Sequence, residues 1–444
     1  MSGPEDVDVA AARLLGGLLR RAHLSTPADL PDVVVEEART SLGASEVVVS
    51  LVNHEFTALV PVPSRLSPHR PPQPLEGSMA GRAFTSSTTV FADAPADAPA
   101  DGTAGGGAGG GAGGDAREPR QRMWVPLLDG SDRLGVLEMT LPAPGGRIGG
   151  ELLAVCERYT HLVAQSVVSK GLYGDVFERV RRTRPMTVAS QLLHSMLPPL
   201  LYATDGLVVA GMLEPAYDNG GDAFDYAVNR VADSAGGEGD VVHLAILDGM
   251  GHGLAAAGVT TYALAAYRQA RIAGLDLVRT CTAMSGAVFS QFGGDRHVTA
   301  VLAELELATG RLSWVSAGHP PPLLLRGARV VKHLTAPACF PLGWDFGGEI
   351  AVAQESLQPG DAVLLYTDGL IEARRADRSF LGVEGLAGFL EQEAAADQLA
   401  PETLRRMRRA VLAHQDGVLQ DDASALLVQW RSGAEDQLLP QTVQ

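Results

Sequence analysis

Four aspartates stand where apolar runs stop. Val241-Val242-His243-Leu244-Ala245-Ile246-Leu247 ends at Asp248-Gly249-Met250-Gly251-His252-Gly253, and Ala362-Val363-Leu364-Leu365-Tyr366-Thr367 ends at Asp368-Gly369. In both, a buried strand would deliver a carboxylate to its mouth, with glycine allowing a tight backbone after it. Gly220-Gly221-Asp222 and Gln420-Asp421-Asp422-Ala423 add acids that also flank expected strands. A single Asp-Gly after a strand reads as a hairpin turn. Four such sites favour a shared centre over coincidence.

Carboxylates gathered in one place repel and raise each other's pKa unless a cation lies between them. Oxygen ligands without suitably spaced Cys or His suit a hard ion, Mg²⁺ or Mn²⁺, rather than zinc. Two such ions can lower the pKa of a shared water and direct it in line at a phosphoryl group. The chain lacks the loops of a protein kinase and the Gly-x-Ser-x-Gly elbow of a hydrolase. Phosphate-ester hydrolysis is the chemistry these acids match best.

The elements around the acids suggest their frame. After Pro198-Pro199, strands are expected at 207–212, 241–247, 298–305, 312–316, 322–325, 362–366 and 424–430, with helices at 254–273, 276–292, 383–393 and 401–414. Upstream, helices are expected at 9–23 and 29–42, followed by strands at 46–52, 56–62, 123–128 and 134–141. The last two strands are joined by the turn Asp129-Gly130-Ser131-Asp132. The fold class is therefore α+β. From 92 to 121 the composition reduces to Ala, Gly, Asp and Pro, which reads as a disordered insertion. No Lys-Ser or Lys-Thr follows its glycines, which argues against a phosphate loop.

Between these regions a helical pattern places Val168, Leu172, Val176 and Val180 on one face. Gly171, Gly174 and Pro185 divide it into two segments. That face would serve a homodimer or pack on the chain's own domains. Arg179, Arg181, Arg182 and Arg184 read as a solvated face.

At 444 residues the chain has room for two or three domains. Its net charge of −17, from 35 Lys and Arg against 52 Asp and Glu, argues against a nucleic-acid or anionic-membrane binder. The three cysteines, Cys156, Cys281 and Cys339, have no paired spacing, so neither a zinc ribbon nor a disulfide framework is expected. An acidic N-terminus and the lack of a long apolar run suggest a cytoplasmic protein without a membrane span.

Taken in order, Asn219 to Tyr226, Asp248 to Gly253, Ser316-Ala317-Gly318-His319-Pro320-Pro321, Phe340-Pro341-Leu342-Gly343, Tyr366 to Leu370 and Asp421 to Ser424 resemble the metal-dependent type 2C (PPM) protein serine/threonine phosphatases. The likeness is to their SpoIIE-like bacterial branch. It implies an α-β-β-α sandwich over 200–431, a helical signalling linker over 169–199 and a flexible tail from 432 to 444. It also implies two divalent cations, Mn²⁺ or Mg²⁺, held by Asp222, Asp248, the Gly249 carbonyl, Asp368 and Asp421, with Asp248 as the bridge. Asp422 is the substitute if Asp421 points away. The activity implied is hydrolysis of phosphoserine or phosphothreonine through a metal-activated water, and the substrate in this branch is commonly a phosphorylated anti-sigma-factor antagonist.

Met250 stands where eukaryotic members carry a histidine general acid, and neither His252 nor His319 is assigned that role. Residues 8–168 resemble a GAF sensor, on Glu76 to Phe84, Val125-Pro126-Leu127-Leu128 and Leu134 to Glu138. That likeness implies a small-molecule or protein signal. His54 there reads as a surface turn residue. The competing expectations are a non-catalytic sensor scaffold, which has no reason to keep all four acids, and a phosphatase of small phosphate esters.

Overall fold

The described residues divide into two compact units, 4–183 and 184–438. The computed structural model describes residues 4–93, 119–218, 220–232, 238–337, 339–344, 349–373, 381–415, 419 and 421–438. Among the described residues, no helix is long and apolar enough to cross a membrane.

The N-terminal unit runs α1 (Pro4–Leu24), α2 (Leu30–Leu42), β1 (Glu46–Val52), β2 (Ala58–Pro61), β3 (Gln73–Pro74), α3 (Met79–Ser86), β4 (Val90–Asp93), β5 (Arg120–Asp129), β6 (Asp132–Pro142), α4 (Gly150–Gly171) and α5 (Val176–Arg181). Its strands form an antiparallel sheet in the order β3-β2-β1-β6-β5-β4. Strand alternation sends Val49, Leu137 and Met139 to one face, against Leu14 and Leu18 of α1, Val34 of α2 and Tyr159 and Val163 of α4. Trp124 and Val136 go to the other face, against Phe84 of α3. Each large side chain so buried stabilises the unit by about 1.5–3 kcal/mol. The Gly/Ala-rich insertion lies outside the described residues over 94–118, and its flanks belong to the paired strands β4 and β5.

The unit boundary falls at Thr183, inside the expected linker, and α4 stops at Gly171. Leu172 is exposed, whereas Val176 and Val180 pack against the core of the N-terminal unit, the second of the two roles expected for that face. Half of the arginine cluster is tied down, Arg181 and Arg182 being half-buried, while Arg179 and Arg184 are exposed. Arg181 Nε donates to the Val52 carbonyl, Arg182 pairs with Glu178, and Arg184 stacks 4.8 Å from the Tyr217 ring centre. His54 is a turn residue as expected, but half-buried, its Nε2 3.0 Å from Glu178.

The C-terminal unit continues with α6 (Val188–His194), β7 (Leu201–Thr204), β8 (Leu207–Glu214), β9 (Asp222–Ala232), β10 (Glu238–Gly249), α7 (Gly253–Ile272), α8 (Leu277–Phe292), β11 (Val298–Glu306), β12 (Arg311–Ala317), β13 (Leu323–Arg326) and β14 (Arg329–His333). It closes with β15 (Ala353–Ser356), β16 (Ala362–Tyr366), α9 (Gly382–Ala395), α10 (Ala400–His414), β17 (Ala423–Trp430) and α11 (Glu435–Leu438). One sheet has the order β15-β12-β11-β10-β9 and the other β14-β13-β16-β17-β8-β7.

Side chains such as Phe224, Leu244, Trp314, Leu365 and Leu426 fill the space between the sheets. α6, α7 and α8 cover the outer face of the first sheet through Leu193, Leu264 and Met284. α9 and α10 cover the outer face of the second through Leu390, Leu404 and Met407. The result is the expected α-β-β-α sandwich. The tail is not wholly flexible: α11 forms within it and buries Leu438.

Candidate active site

β9 and β10 are antiparallel, and their register sets Asp222 directly opposite Asp248. Side chains at directly opposed positions share a face, so the two carboxylates emerge side by side at one end of the sheet. The same end of the second sheet supplies the rest. Asp368 opens a 3-10 turn immediately after β16, and Asp421 and Asp422 immediately precede its neighbour β17.

Two cross-sheet ties hold these ends together. Thr367 Oγ1 donates to Asp222 Oδ2 at 2.6 Å and accepts from the Ser424 amide at 2.9 Å. The Asp422 carboxylate accepts the Gly220 and Gly221 amides at 2.9 and 2.6 Å. Glycine is needed where the backbones meet. A Cβ at Gly369 would stand 1.9 Å from the Asp422 carbonyl oxygen, and one at Gly249 would stand 2.1 Å from Thr260 Oγ1. That hydroxyl, on α7, donates to the Gly221 carbonyl at 2.5 Å.

The electrostatics are those of carboxylates facing one another. Burial, then Asp368, Asp421 and Asp422, pushes Asp248 up to about 7. Burial, then Asp248 and Asp422, holds Asp222 well above the usual carboxylate range, against a lowering contribution from the Thr367 hydroxyl. Asp368 is raised by burial and by Asp421 and Glu372, and Asp422 by burial despite its backbone hydrogen bonds. The charged neighbours that dominate these shifts are other carboxylates, an arrangement that a cation would reverse.

Among the described residues, no three His, Cys, Asp or Glu side chains already stand in the geometry of a bound ion. The donor chemistry nonetheless fits a hard divalent cation: carboxylate oxygens and the Gly249 carbonyl, with no thiolate or imidazole among them.

All four sequence-predicted aspartates thus lie at one end of the sandwich. Asp421 is exposed and accepts the Asp422 amide at 2.9 Å, while its charge acts on Asp248 and Asp368. Met250 and His252 are exposed on the loop after Gly249. His319 is buried and held down to about 4 by burial. Its Nδ1 lies 2.7 Å from Thr299 Oγ1 and its Nε2 3.1 Å from the Tyr366 carbonyl oxygen, a neutral brace between the sheets.

Sequence reasoning missed Thr367, Thr260 and the bracing role of Asp422. It also missed Arg296, which has no hydrogen bond or ion pair among the described residues. One of its guanidinium nitrogens stands 3.6 Å from where a Cβ at Gly251 would lie.

The C-terminal unit is a two-sheet sandwich with a carboxylate cluster at the end where its sheets meet, and residues 238–431 match the family Stage II sporulation protein E (SpoIIE). Phosphoserine phosphatase RsbP of Bacillus subtilis (strain 168) is 32% identical over 133 residues, 29% of this chain and 32% of that protein. Protein IcfG of Synechocystis sp. is 27% identical over 143 residues, 31% of this chain and 22% of that protein. The chain therefore matches a third or less of the length of either relative. Among solved structures, the RsbU and RsbW domains of Rv1364c from Mycobacterium tuberculosis are 28% identical. That likeness covers 51% of this chain and 60% of the other, with a TM-score of 0.42.

Proposed function

We propose that the chain is a metal-dependent protein serine/threonine phosphatase. The observation that carries this reading is the opposed pair Asp222 and Asp248, both raised in pKa, facing Asp368 and Asp421 from the second sheet. Asp248, the Gly249 carbonyl, Asp222, Asp368 and Asp421 would hold two divalent cations, Mn²⁺ or Mg²⁺. When bound, such ions supply a water acidic enough at neutral pH to attack phosphorus.

The chain's own residues do the rest. Thr367 orients Asp222, and Asp422 fixes the Gly220-Gly221 backbone beside Asp248. Arg296, which has no ion pair among the described residues, would offer its guanidinium at the rim to a phosphate that would otherwise meet only carboxylates. With Met250 rather than histidine after the Asp-Gly pair, solvent water would protonate the leaving serine oxygen.

The substrate we favour is a phosphoserine or phosphothreonine protein, in particular a phosphorylated anti-sigma-factor antagonist. The resemblance to the SpoIIE-like branch and the match to a phosphoserine phosphatase support it. The N-terminal unit, as a GAF-like regulator, would set the activity in response to a small-molecule or protein signal. Phosphate release from the phosphorylated antagonist, measured with Mn²⁺ and with EDTA, tests the assignment. Turnover of small phosphate esters with no turnover of any phosphoprotein would favour the small-ester reading.

A further inference from the structure

Cys281 and Cys339 are far apart in sequence, yet the fold brings their thiols together. Cys281 lies within α8 and is buried in the core beneath the first sheet. Cys339 packs against that same core and is half-buried. The Cys339 thiol donates to the Phe340 carbonyl at 3.5 Å, and Cys281 and Cys339 each act on the other's ionisation.

Cys339 also opens a short strap, residues 339–343, that crosses the site end of the sheet. It bridges Ala317 of β12, and Leu342 exchanges both backbone hydrogen bonds with Val298, at 2.8 and 3.0 Å. Val298 in turn lies opposite Gly249. The Gly343 amide donates to Ser285 Oγ of α8 at 3.1 Å. The strap is therefore one strand away from the backbone that follows Asp248.

We propose that Cys281 and Cys339 are a redox modification site, closed to a disulfide by hydrogen peroxide or a related hydroperoxide and reopened by a dithiol, and that closure slows the acidic centre. The Cys339 sulfur attacks one peroxide oxygen. The O–O bond breaks, and the other oxygen leaves as water after taking the thiol proton. The Cys281 sulfur then attacks the resulting sulfenic sulfur, and its hydroxyl leaves with the Cys281 proton as a second water. Two thiols and one peroxide thus give one disulfide and two waters.

Accessibility and acidity favour Cys339 as the attacking group. It is half-exposed, and the thiol that Cys281 points at it lowers its pKa. Cys156 is a built-in contrast, fully buried and pushed up to about 12 by burial. Closure would replace a non-covalent contact with a covalent one of about 2 Å, drawing the strap toward α8.

The test treats reduced full-length protein with hydrogen peroxide, blocks residual thiols, and reads intact mass, peptide map and Mn²⁺-dependent phosphatase rate. The expected result is a mass lower by two hydrogen atoms and a Cys281–Cys339 cross-linked peptide. The rate should fall about tenfold, the scale of a small displacement at a reacting centre, and recover with dithiothreitol. Cys339→Ser and Cys281→Ala should each keep the reduced rate and lose the sensitivity. Accumulation of sulfinic acid at Cys339 without the cross-link would overturn the proposal, as would a cross-link that leaves the rate unchanged. The rate effect rests on the phosphatase reading, whereas the mass does not. A reduced protein with no Mn²⁺-dependent rate would count against that reading while the mass still decides the bond.

Discussion

Replacing Asp248 with Asn should stabilise the metal-free protein and remove its stabilisation by metal. In the fold, Asp248 ionises only near pH 7, against 3.8 for an ordinary aspartate. That difference of about three in pKa corresponds to a ceiling of about 4 kcal/mol of strain in the ionised form, at about 1.4 kcal/mol per pKa unit. Asp222, Asp368, Asp421 and Asp422 share the repulsion and relax together, so about 2 kcal/mol is the expected gain from a neutral amide of the same shape.

The pH window follows from the direction of the shift. The unfolded carboxyl ionises above about 4, the folded one only above about 7. The penalty is therefore absent at low pH, grows between these values and is full above them. Asp248→Asn should match wild type near pH 4 and melt about 4–8 °C higher at pH 8 in EDTA. Saturating Mn²⁺ should reverse the order. At about a hundred times its dissociation constant a ligand contributes about 2.7 kcal/mol, available only to the protein that binds it. Thermal melts at pH 4, 6 and 8, with EDTA and with Mn²⁺, provide the assay. A variant less stable than wild type in EDTA at pH 8, or stabilised by Mn²⁺ as strongly as wild type, would refute the reasoning.

Three further substitutions probe the supports. Thr367→Val removes the hydroxyl shared by Asp222 and the Ser424 amide. It should cost about 1–3 kcal/mol in urea unfolding and weaken Mn²⁺ binding about 10–100-fold by titration. Gly369→Ala drives a Cβ to 1.9 Å from the Asp422 carbonyl oxygen and should cost about 3 kcal/mol or more, read as a lower denaturation midpoint. Arg296→Ala should raise KM for a phosphopeptide about tenfold or more, the loss of one hydrogen bond to a charged group, with partial recovery in Arg296→Lys.

The acids and most of the sandwich were legible because local sequence controls them. An uninterrupted apolar run that ends in Asp-Gly has few other readings, and the expected strands at 241–247, 298–305, 362–366 and 424–430 lie within β10, β11, β16 and β17. β9 escaped notice because it buries acids on both faces. Asp222 faces the cluster, while Asp225 faces α7, where Arg268 and Arg271 pair with it at 2.9 and 2.8 Å. Those partners lie a helix away, so nothing local marks Asp225 as buried.

The same limit hid Asp422, whose partners at Gly220 and Gly221 lie on the opposite sheet, and the proximity of Cys281 and Cys339, which depends on a strap running beside α8. The break expected in the pattern Val168, Leu172, Val176 and Val180 is present, since α4 ends at Gly171 and α5 begins at Val176. Val176 and Val180 are partly buried against the core, with no continuous rod to carry them.

The most direct test of the phosphatase assignment is hydrolysis of a phosphoserine peptide by wild type and Asp248→Asn, with and without Mn²⁺. Phosphate release should require Mn²⁺ and fall at least about a hundredfold in the variant, the scale on which a metal-activated nucleophile is lost. Equal release by the two proteins, or release by wild type unchanged in EDTA, would contradict the acidic centre as the seat of the chemistry.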